Sequence, residues 1–357
     1  MKHSGRQMDA FDRRLAGAVQ LCVPLVREPY QQLAAELGTD GQSILQRLAF
    51  LRHAGVVREI SGVFDAGAPA LGYAKALIAF RVQPDKLDKA GEVAAGHPGV
   101  SHCYGRTNKY NLWFTLATSP KSVLGLAQTT EILVEKCGAV ACMILPMLRQ
   151  YKLDTQRLGR LTEGTTRRPD EVKTADEPRG IWDQTAAKSP RPSPEQLAAI
   201  RALQADLPNR DDPFGPPAEQ AGMKADMLLV HAADFLAAGW MRRYSALIQH
   251  RAIGIEANVL VAWQVAPGVA DVAGAKCASF SAVSHCYLRP PAEDWPYSLY
   301  TMIHGRSRQD CAMTIKEIET TANLRQHVEL QTQREYKKKR IALFSDEEAL
   351  WEKRNTA

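Results

Sequence analysis

Val100-Ser101-His102-Cys103-Tyr104 returns letter for letter as Val283-Ser284-His285-Cys286-Tyr287, and in both places an arginine follows two residues on, Arg106 and Arg289. Side chains alternate along a strand, so His102, Tyr104 and Arg106 share one face, as do His285, Tyr287 and Arg289. An imidazole, a phenol and a guanidinium in one row make a poor core and a good wall for an anionic ligand. Cys103 and Cys286 fall on the opposite face and read as small core residues rather than nucleophiles.

The repeat extends outward from this signature. Arg58 to Ala66 aligns with Arg242 to His250, with Ser61 matching Ser245, and Ala54-Gly55 matches Ala238-Gly239. Pro29-Tyr30 answers to Pro213-Phe214, Gly38 to Gly222, and Ala79-Phe80-Arg81-Val82 to Ala262-Trp263-Gln264-Val265. Tyr110-Asn111-Leu112-Trp113 pairs with Tyr297-Ser298-Leu299-Tyr300 after a short insertion, and Arg149, Tyr151 and Lys152 pair with Arg334, Tyr336 and Lys337. A near-constant offset over most of the chain marks a duplication, or a fusion of two related proteins.

Each copy divides in two. Leu15, Val19, Cys22 and Val23 fall at helical spacing, Pro29 opens a second helix that Gly38 closes, and a third runs from about Asp40 to His53. Helix, glycine turn, helix, followed by a strand from Val57 to Phe64, predicts a winged helix-turn-helix over residues 1–66. From Tyr73 the period changes, and strands at Tyr73 to Val82, Val100 to Arg106, Tyr110 to Ala117 and Ala139 to Tyr151 alternate with two helices. This βαββαβ order predicts a ferredoxin-like domain over 70–152. The second copy repeats the plan as a degenerate helix-turn-helix at 191–252 and a ferredoxin-like domain at 254–340. Between them, 159–190 reads as a linker rich in Arg, Asp, Thr and Pro, and 341–357 as a terminal helix that packs on its own protein. The fold class expected is α+β, as a tandem duplication.

Composition bounds the function more loosely. The 357 residues, 45% of them hydrophobic, suffice for several small cores. Seven cysteines without CxxC spacing argue against a disulfide framework or zinc site and for reduced thiols, hence a cytoplasmic protein. The polar N-terminus suggests no signal peptide, and no apolar run approaches a membrane span. The net charge of +6 suits an acidic partner without naming it.

A helix-turn-helix joined to a ferredoxin-like domain resembles the leucine-responsive (Lrp/AsnC) transcriptional regulators. The third helix of the first copy offers Gln42, Gln46, Arg47, Arg52 and His53, which suits DNA tolerably. The same positions in the second copy hold Asp226, Val230, His231, Leu236 and Ala237, an acidic and apolar set that cannot supply the cation–phosphate term on which affinity for DNA rests. DNA binding is therefore not expected.

The local motifs resemble a narrower family of the same architecture, the siroheme decarboxylases of the haem d1 and alternative haem pathways. In the first copy the likeness rests on Val57-Arg58-Glu59-Ile60-Ser61-Gly62-Val63-Phe64, Gly99-Val100-Ser101-His102 and Tyr110-Asn111-Leu112-Trp113-Phe114-Thr115. In the second it rests on Met241 to Ala246, Ser284-His285-Cys286-Tyr287 and the long run from Asp294 to Arg306. One departure is Asn108, where members of the family usually carry a histidine, which biases the chemistry toward the second copy. The resemblance implies loss of CO2 from ring acetates of siroheme, at C12 and C18, to give 12,18-didecarboxysiroheme. It implies no cofactor beyond the iron tetrapyrrole that is the substrate, and either a homo-oligomer or paralogous subunits as partners. A regulator, or a haem-binding sensor without catalysis, is the alternative.

Such chemistry needs an anion clamp and a proton donor, which arginine and histidine supply. The catalytic candidates are His285 as acid, Tyr287 to orient it or to donate a proton itself, Arg289 and Arg242 as carboxylate clamps, and His250 as acid or axial ligand to the substrate iron. The substrate-binding candidates are Arg58, His102, Tyr104, Arg106, Arg243, Arg251, Trp113, Trp295 and Tyr297, with Trp295 the aromatic expected to reach the ligand from its loop. His304 and Arg306 read as a propionate site or, preferably, as the cap of the following helix.

Overall fold

The structure, a computed structural model, describes residues 8–153, 191–249 and 257–356. The expected linker at 159–190 lies outside these residues, as do His250 and Arg251. The chain forms two compact units, and each takes one half of both copies.

One unit gathers the two helical domains. Helix α1 (Ala10–Leu21) starts at a capping box in which Asp9 and Asp12 each accept the other's backbone N–H. Helix α2 (Pro29–Leu37) has Pro29 in its first turn and ends at Gly38, whose φ of 72° is the left-handed conformation that glycine adopts without steric penalty. Helix α3 (Gly41–His53) is capped by Asp40, and strand β1 (Val57–Phe64) follows. The second copy repeats this as α6 (Pro194–Gln204), α7 (Gly215–Gln220), α8 (Ala225–Ala237) and β7 (Met241–Ile248), again with φ 72° at the turn glycine, Gly222. The wings do not stand alone. β1 pairs antiparallel with β7, Ser61 directly opposite Ser245, so one ribbon joins the copies.

This unit's surface weakens the DNA reading further than the sequence did. Arg47 is turned onto Asp9 and Asp12, at 2.5 and 3.0 Å. Arg52 is held by Asp206 at 2.5 Å and the Leu207 carbonyl at 2.9 Å. The two arginines of α3 thus serve contacts within the protein, and α8 turns Met227 and Val230 outward.

The other unit is built on one sheet of nine strands. The first copy supplies β2 (Ala74–Arg81), β3 (Val100–Arg106), β4 (Leu112–Thr118), β5 (Ala141–Pro146) and β6 (Arg149–Leu153), with helices α4 (Leu87–Ala95) and α5 (Gly125–Cys137). The second supplies β8 (Ala257–Trp263), β9 (Val283–Leu288), β10 (Leu299–Gly305) and β11 (His327–Lys338), with helices α9 (Ala270–Ser279) and α10 (Arg308–Ala322). Helix α11 (Glu347–Asn355) ends the chain by setting Trp351 against His97, with ring centres 4.3 Å apart. The strand order is β5-β2-β4-β3-β11-β8-β10-β9-β6, two ferredoxin-like sheets joined edge to edge.

The joint is the part that periodicity did not reveal. The sequence reads Ala139 to Tyr151 as one strand. In the structure β5 pairs with β2 of its own copy, whereas β6, just beyond it, pairs with β9 of the other. β11 does the same in reverse, with His327 to Gln331 on β8 and Thr332 to Lys338 on β3. Each terminal strand therefore leaves its own sheet for its neighbour's, and pairing of this kind is fixed by distant residues that no local pattern encodes.

The helices cover one face of each sheet. Phe80, Leu112, Phe114 and Leu133 form one core, and Val261, Trp263, Leu299 and Ile318 the other. Cys103 and Cys286 lie in these cores, their thiols directed to the Gly91 and Gly274 carbonyls. The opposite faces share a third cluster drawn from both copies, in which Trp113, Tyr110, Met143, Trp295, Tyr300 and Leu260 pack together. Burying large side chains of this kind contributes roughly 1.5–3 kcal/mol each, enough to hold the two inner faces against one another.

Candidate functional site

The repeated rows lie on these inner faces, as alternation requires. Along β3, His102 and Tyr104 lead to Arg106, and along β9, His285 and Tyr287 lead to Arg289. Tyr104 stands opposite Trp113 and Tyr287 opposite Tyr300, so the aromatic cluster lies beside both tyrosines. One residue pair further along the strands, the lining turns polar.

The charge of His285 bears on His102. The His102 pKa is pushed down to about 3, first by loss of surrounding water, then by Lys338, His285, Lys75 and Arg106. Yet His102 is an exposed residue by its accessible surface. The ring therefore has protein close around it while part of its surface stays open. Lys338 is registered opposite His102 on β11, and Lys75 lies on β2 opposite Ala117.

The second copy differs at each of these places. Around the second row, Asn258 stands where the first row has Lys75, Leu153 (crossed over from the first copy) where it has Lys338 (crossed over from the second), and His304 where it has Ala117. Ser284 is buried beneath His285, its Oγ 2.7 Å from His285 Nδ1 and 2.8 Å from His304 Nε2. In the first copy Ser101 contacts His102 Nδ1 at 2.9 Å but turns to Thr115 at 2.6 Å instead of a second imidazole. One half of the lining is cationic and the other rich in imidazole.

The arginines of the rows are placed more deeply than rim clamps would be. Arg106 Nη1 donates to the Leu330 carbonyl at 2.8 Å, and Arg289 Nη1 to the Leu145 carbonyl at 2.5 Å. Leu145 and Leu330 are matching residues just before the terminal strands cross over. Each guanidinium thus props the crossover of the strand beside it and stacks on its own row's tyrosine, Arg106 at 5.0 Å and Arg289 at 5.5 Å. Burial lowers both pKa values, that of Arg106 to about 10, which leaves it cationic at neutral pH. Among the described residues, Nε of each is buried without a partner.

Other sequence expectations meet different fates. Trp113 and Trp295 are both buried to 1% exposure, 5.5 Å apart. Trp113 Nε1 donates to the Tyr110 carbonyl, and Trp295 Nε1 to the Tyr300 hydroxyl. Both rings sit in the shared core, onto which the loop carrying Trp295, the aromatic expected to reach the ligand, folds inward. Tyr297 packs against Trp295 at 4.9 Å and is only half-buried. The cap reading of His304 is also corrected, since Ser307 and Asp310 cap α10 by a capping box and His304 turns to Ser284. Arg58, Arg242 and Arg243 belong to the ribbon of the first unit, where Arg242 pairs with Asp65 at 2.7 Å and Arg243 Nε donates to Ser245 at 2.9 Å. Lys75, Lys338 and Ser284 were not singled out from sequence. Ser284 sat inside the repeated signature, while neither lysine falls in a repeated motif.

Comparison with known proteins agrees with this architecture. Residues 70–152 and 252–337 match the AsnC-like ligand binding domain, and residues 12–58 match the siroheme decarboxylase NirDL-like HTH domain. The chain is 31% identical to a siroheme decarboxylase of Hydrogenobacter thermophilus, over 96% of its own length and 97% of the relative's. It is 41% identical, over 43% of its length, to nearly all of the siroheme decarboxylase beta subunit of Desulfovibrio desulfuricans. The crystal structure of the siroheme decarboxylase NirDL superimposes with a TM-score of 0.71 at 28% identity, covering 98% of both chains. A co-complex of NirDL with an iron-uroporphyrin III analogue matches equally well. Matched across almost its entire length in sequence and in fold, the chain belongs to the siroheme decarboxylase family.

Proposed function

We propose that the protein removes CO2 from ring acetate side chains of siroheme, at C12 and C18, to yield 12,18-didecarboxysiroheme. The observation that carries this reading is the pair of His-Tyr-Arg rows on the inner faces, with His285 acting electrostatically on His102 and with Lys75 and Lys338 acting on it as well. A tetrapyrrole with a rim of carboxylates needs cations, and its decarboxylation needs a proton donor kept from bulk water.

The reaction balances without oxidant or reductant. The ring accepts a proton at a pyrrole carbon next to the acetate-bearing position. The bond between the acetate methylene and its carboxylate breaks, CO2 leaves, and the electron pair passes into the protonated ring. The methylene carbon then takes a proton while the ring carbon returns one, so each acetate becomes a methyl group at the net expense of one proton. In the substrate-free protein His102 is neutral, and incoming carboxylates raise its pKa and draw a proton onto it. His285 is the acid in this reading, Tyr287 orients it, and Lys75 and Lys338 hold carboxylates. The unpartnered Nε atoms of Arg106 and Arg289 are further donors toward the inner face.

Incubation of the purified protein with siroheme, followed by mass analysis of the extracted pigment, tests the proposal. Loss of one and then a second CO2 is expected. Tight binding with unchanged pigment mass would instead make it a tetrapyrrole-binding protein without this activity.

A further inference from the structure

The second copy holds a three-residue chain that the first lacks. Ser284 Oγ lies 2.7 Å from His285 Nδ1, 2.8 Å from His304 Nε2 and 3.3 Å from the Met302 carbonyl. A hydroxyl has one proton to donate and two lone pairs with which to accept. If it donates to His285 Nδ1, it must accept from His304 Nε2–H. The imidazoles are then coupled, and the His285 proton resides on Nε2, the nitrogen turned away from Ser284. In the first copy the counterpart of His304 is Ala117, and Ser101 is engaged by Thr115.

We infer that Ser284 and His304 form a positioning and proton-resupply relay behind His285, which makes the His285 row the proton-delivering side and leaves the His102 row, with Lys75 of the first copy and Lys338 crossed over from the second, to hold carboxylates. The inference rests on the decarboxylase reading and deepens it. The protons balance as follows. His285 gives its Nε2 proton to the substrate carbon and takes the Ser284 hydroxyl proton at Nδ1. Ser284 in turn takes the Nε2 proton of His304, and His304 recovers one from solvent. No bond other than those to hydrogen changes in the relay. Of the charged groups, His285 acts on His102, on which Lys338, Lys75 and Arg106 also act, and Tyr287 and Arg289 continue the row of His285.

His304→Ala is the direct test, because Ala117 shows that this position of the fold accepts alanine. The variant is expected to lower kcat about tenfold or more, within the range of acid–base effects, and to shift the acid limb of its pH profile while KM for siroheme stays within about twofold. Ser284→Ala should do the same, and Ser101→Ala in the first copy should do much less. An unchanged kcat and pH profile in His304→Ala would overturn the relay while leaving the decarboxylase reading intact. A second measurement needs no turnover. The ring nitrogens of His285, followed by NMR through a pH titration, should change tautomer balance and titration midpoint in His304→Ala, and superimposable curves would equally refute the relay.

Discussion

Tyr336 donates its hydroxyl to Asp88 at 2.7 Å, so the last strand of the second copy is tied to the first helix of the first copy's sheet domain. Tyr151 does the same in the other direction, donating to Asp271 at 2.6 Å. Arg334 and Arg149 join the same two carboxylates. Each tyrosine ring lies on a helix glycine, where a Cβ on Gly91 would come within 2.5 Å of Tyr336 and one on Gly274 within 2.3 Å of Tyr151. The copies are thereby locked by exchanged strands, and a break in either lock loosens both sheets.

Gly91→Ala and Gly274→Ala are expected to destabilise the protein. Helix propensity alone favours alanine by about 1 kcal/mol, whereas overpacking against a held ring costs about 1–3 kcal/mol. The account predicts that the clash prevails, with a lower midpoint in urea unfolding. A gain in stability would show that the rings are not held.

Arg106→Met and Arg289→Met should each lower stability by roughly 1–3 kcal/mol, because a buried carbonyl at the strand crossover loses its donor. Lysine at either place should rescue poorly, lacking the flat face that stacks on the tyrosine. Thermal unfolding of the substrate-free variants checks both statements.

Acid sensitivity has an assigned source. His97 and His102 are held neutral, with pKa values of about 4 and about 3 against an ordinary 6.5. Loss of surrounding water is the first cause in both, aided by Lys337 at the buried His97, whereas His102 is exposed and contributes less. Below pH 6.5 the unfolded chain binds protons that the folded protein refuses, so stability falls as pH drops from about 6.5 toward 4. Glu348, raised by burial, acts in the opposite sense. Asp271 and Asp294, lowered chiefly by hydrogen bonds, contribute only nearer the ordinary carboxylate value of 3.8. His102→Asn should flatten the curve of melting temperature against pH, and binding of the anionic pigment should draw protons from buffer in calorimetry. An unchanged curve in the variant would dismiss His102 as a source.

Much of this was legible in the sequence, for definite reasons. The duplication was exact enough at Val100 to Tyr104 to place the polar rows, and strand alternation put His102 and His285 on the inner face. The end of the second helix was written in Gly38, whereas the cap of α10 fell on Ser307 and not on His304. What stayed hidden was set by distant partners. Nothing local says that the terminal strands cross between copies, so Arg106 and Arg289 looked like rim clamps instead of supports for that crossing. Trp295 looked available because prolines flank its loop, yet the shared core offered it more apolar contact than solvent could. Lys75 and Lys338 joined the site only through the register of neighbouring strands.

His285→Ala should slow decarboxylation by about a hundredfold or more, as befits loss of a general acid, while pigment binding stays near that of the parent protein. His102→Ala should affect turnover less. Single-turnover kinetics with siroheme separates the two, and equal losses would argue against a division of labour between the copies.

Decarboxylation of siroheme in deuterated water tests the central claim most directly. The account predicts that every acetate lost appears as CO2 and leaves a methyl group carrying one solvent deuterium, as read by mass and NMR of the extracted pigment. Recovery of pigment with all its carboxylates and no deuterated methyl, after incubation with folded protein, would contradict it.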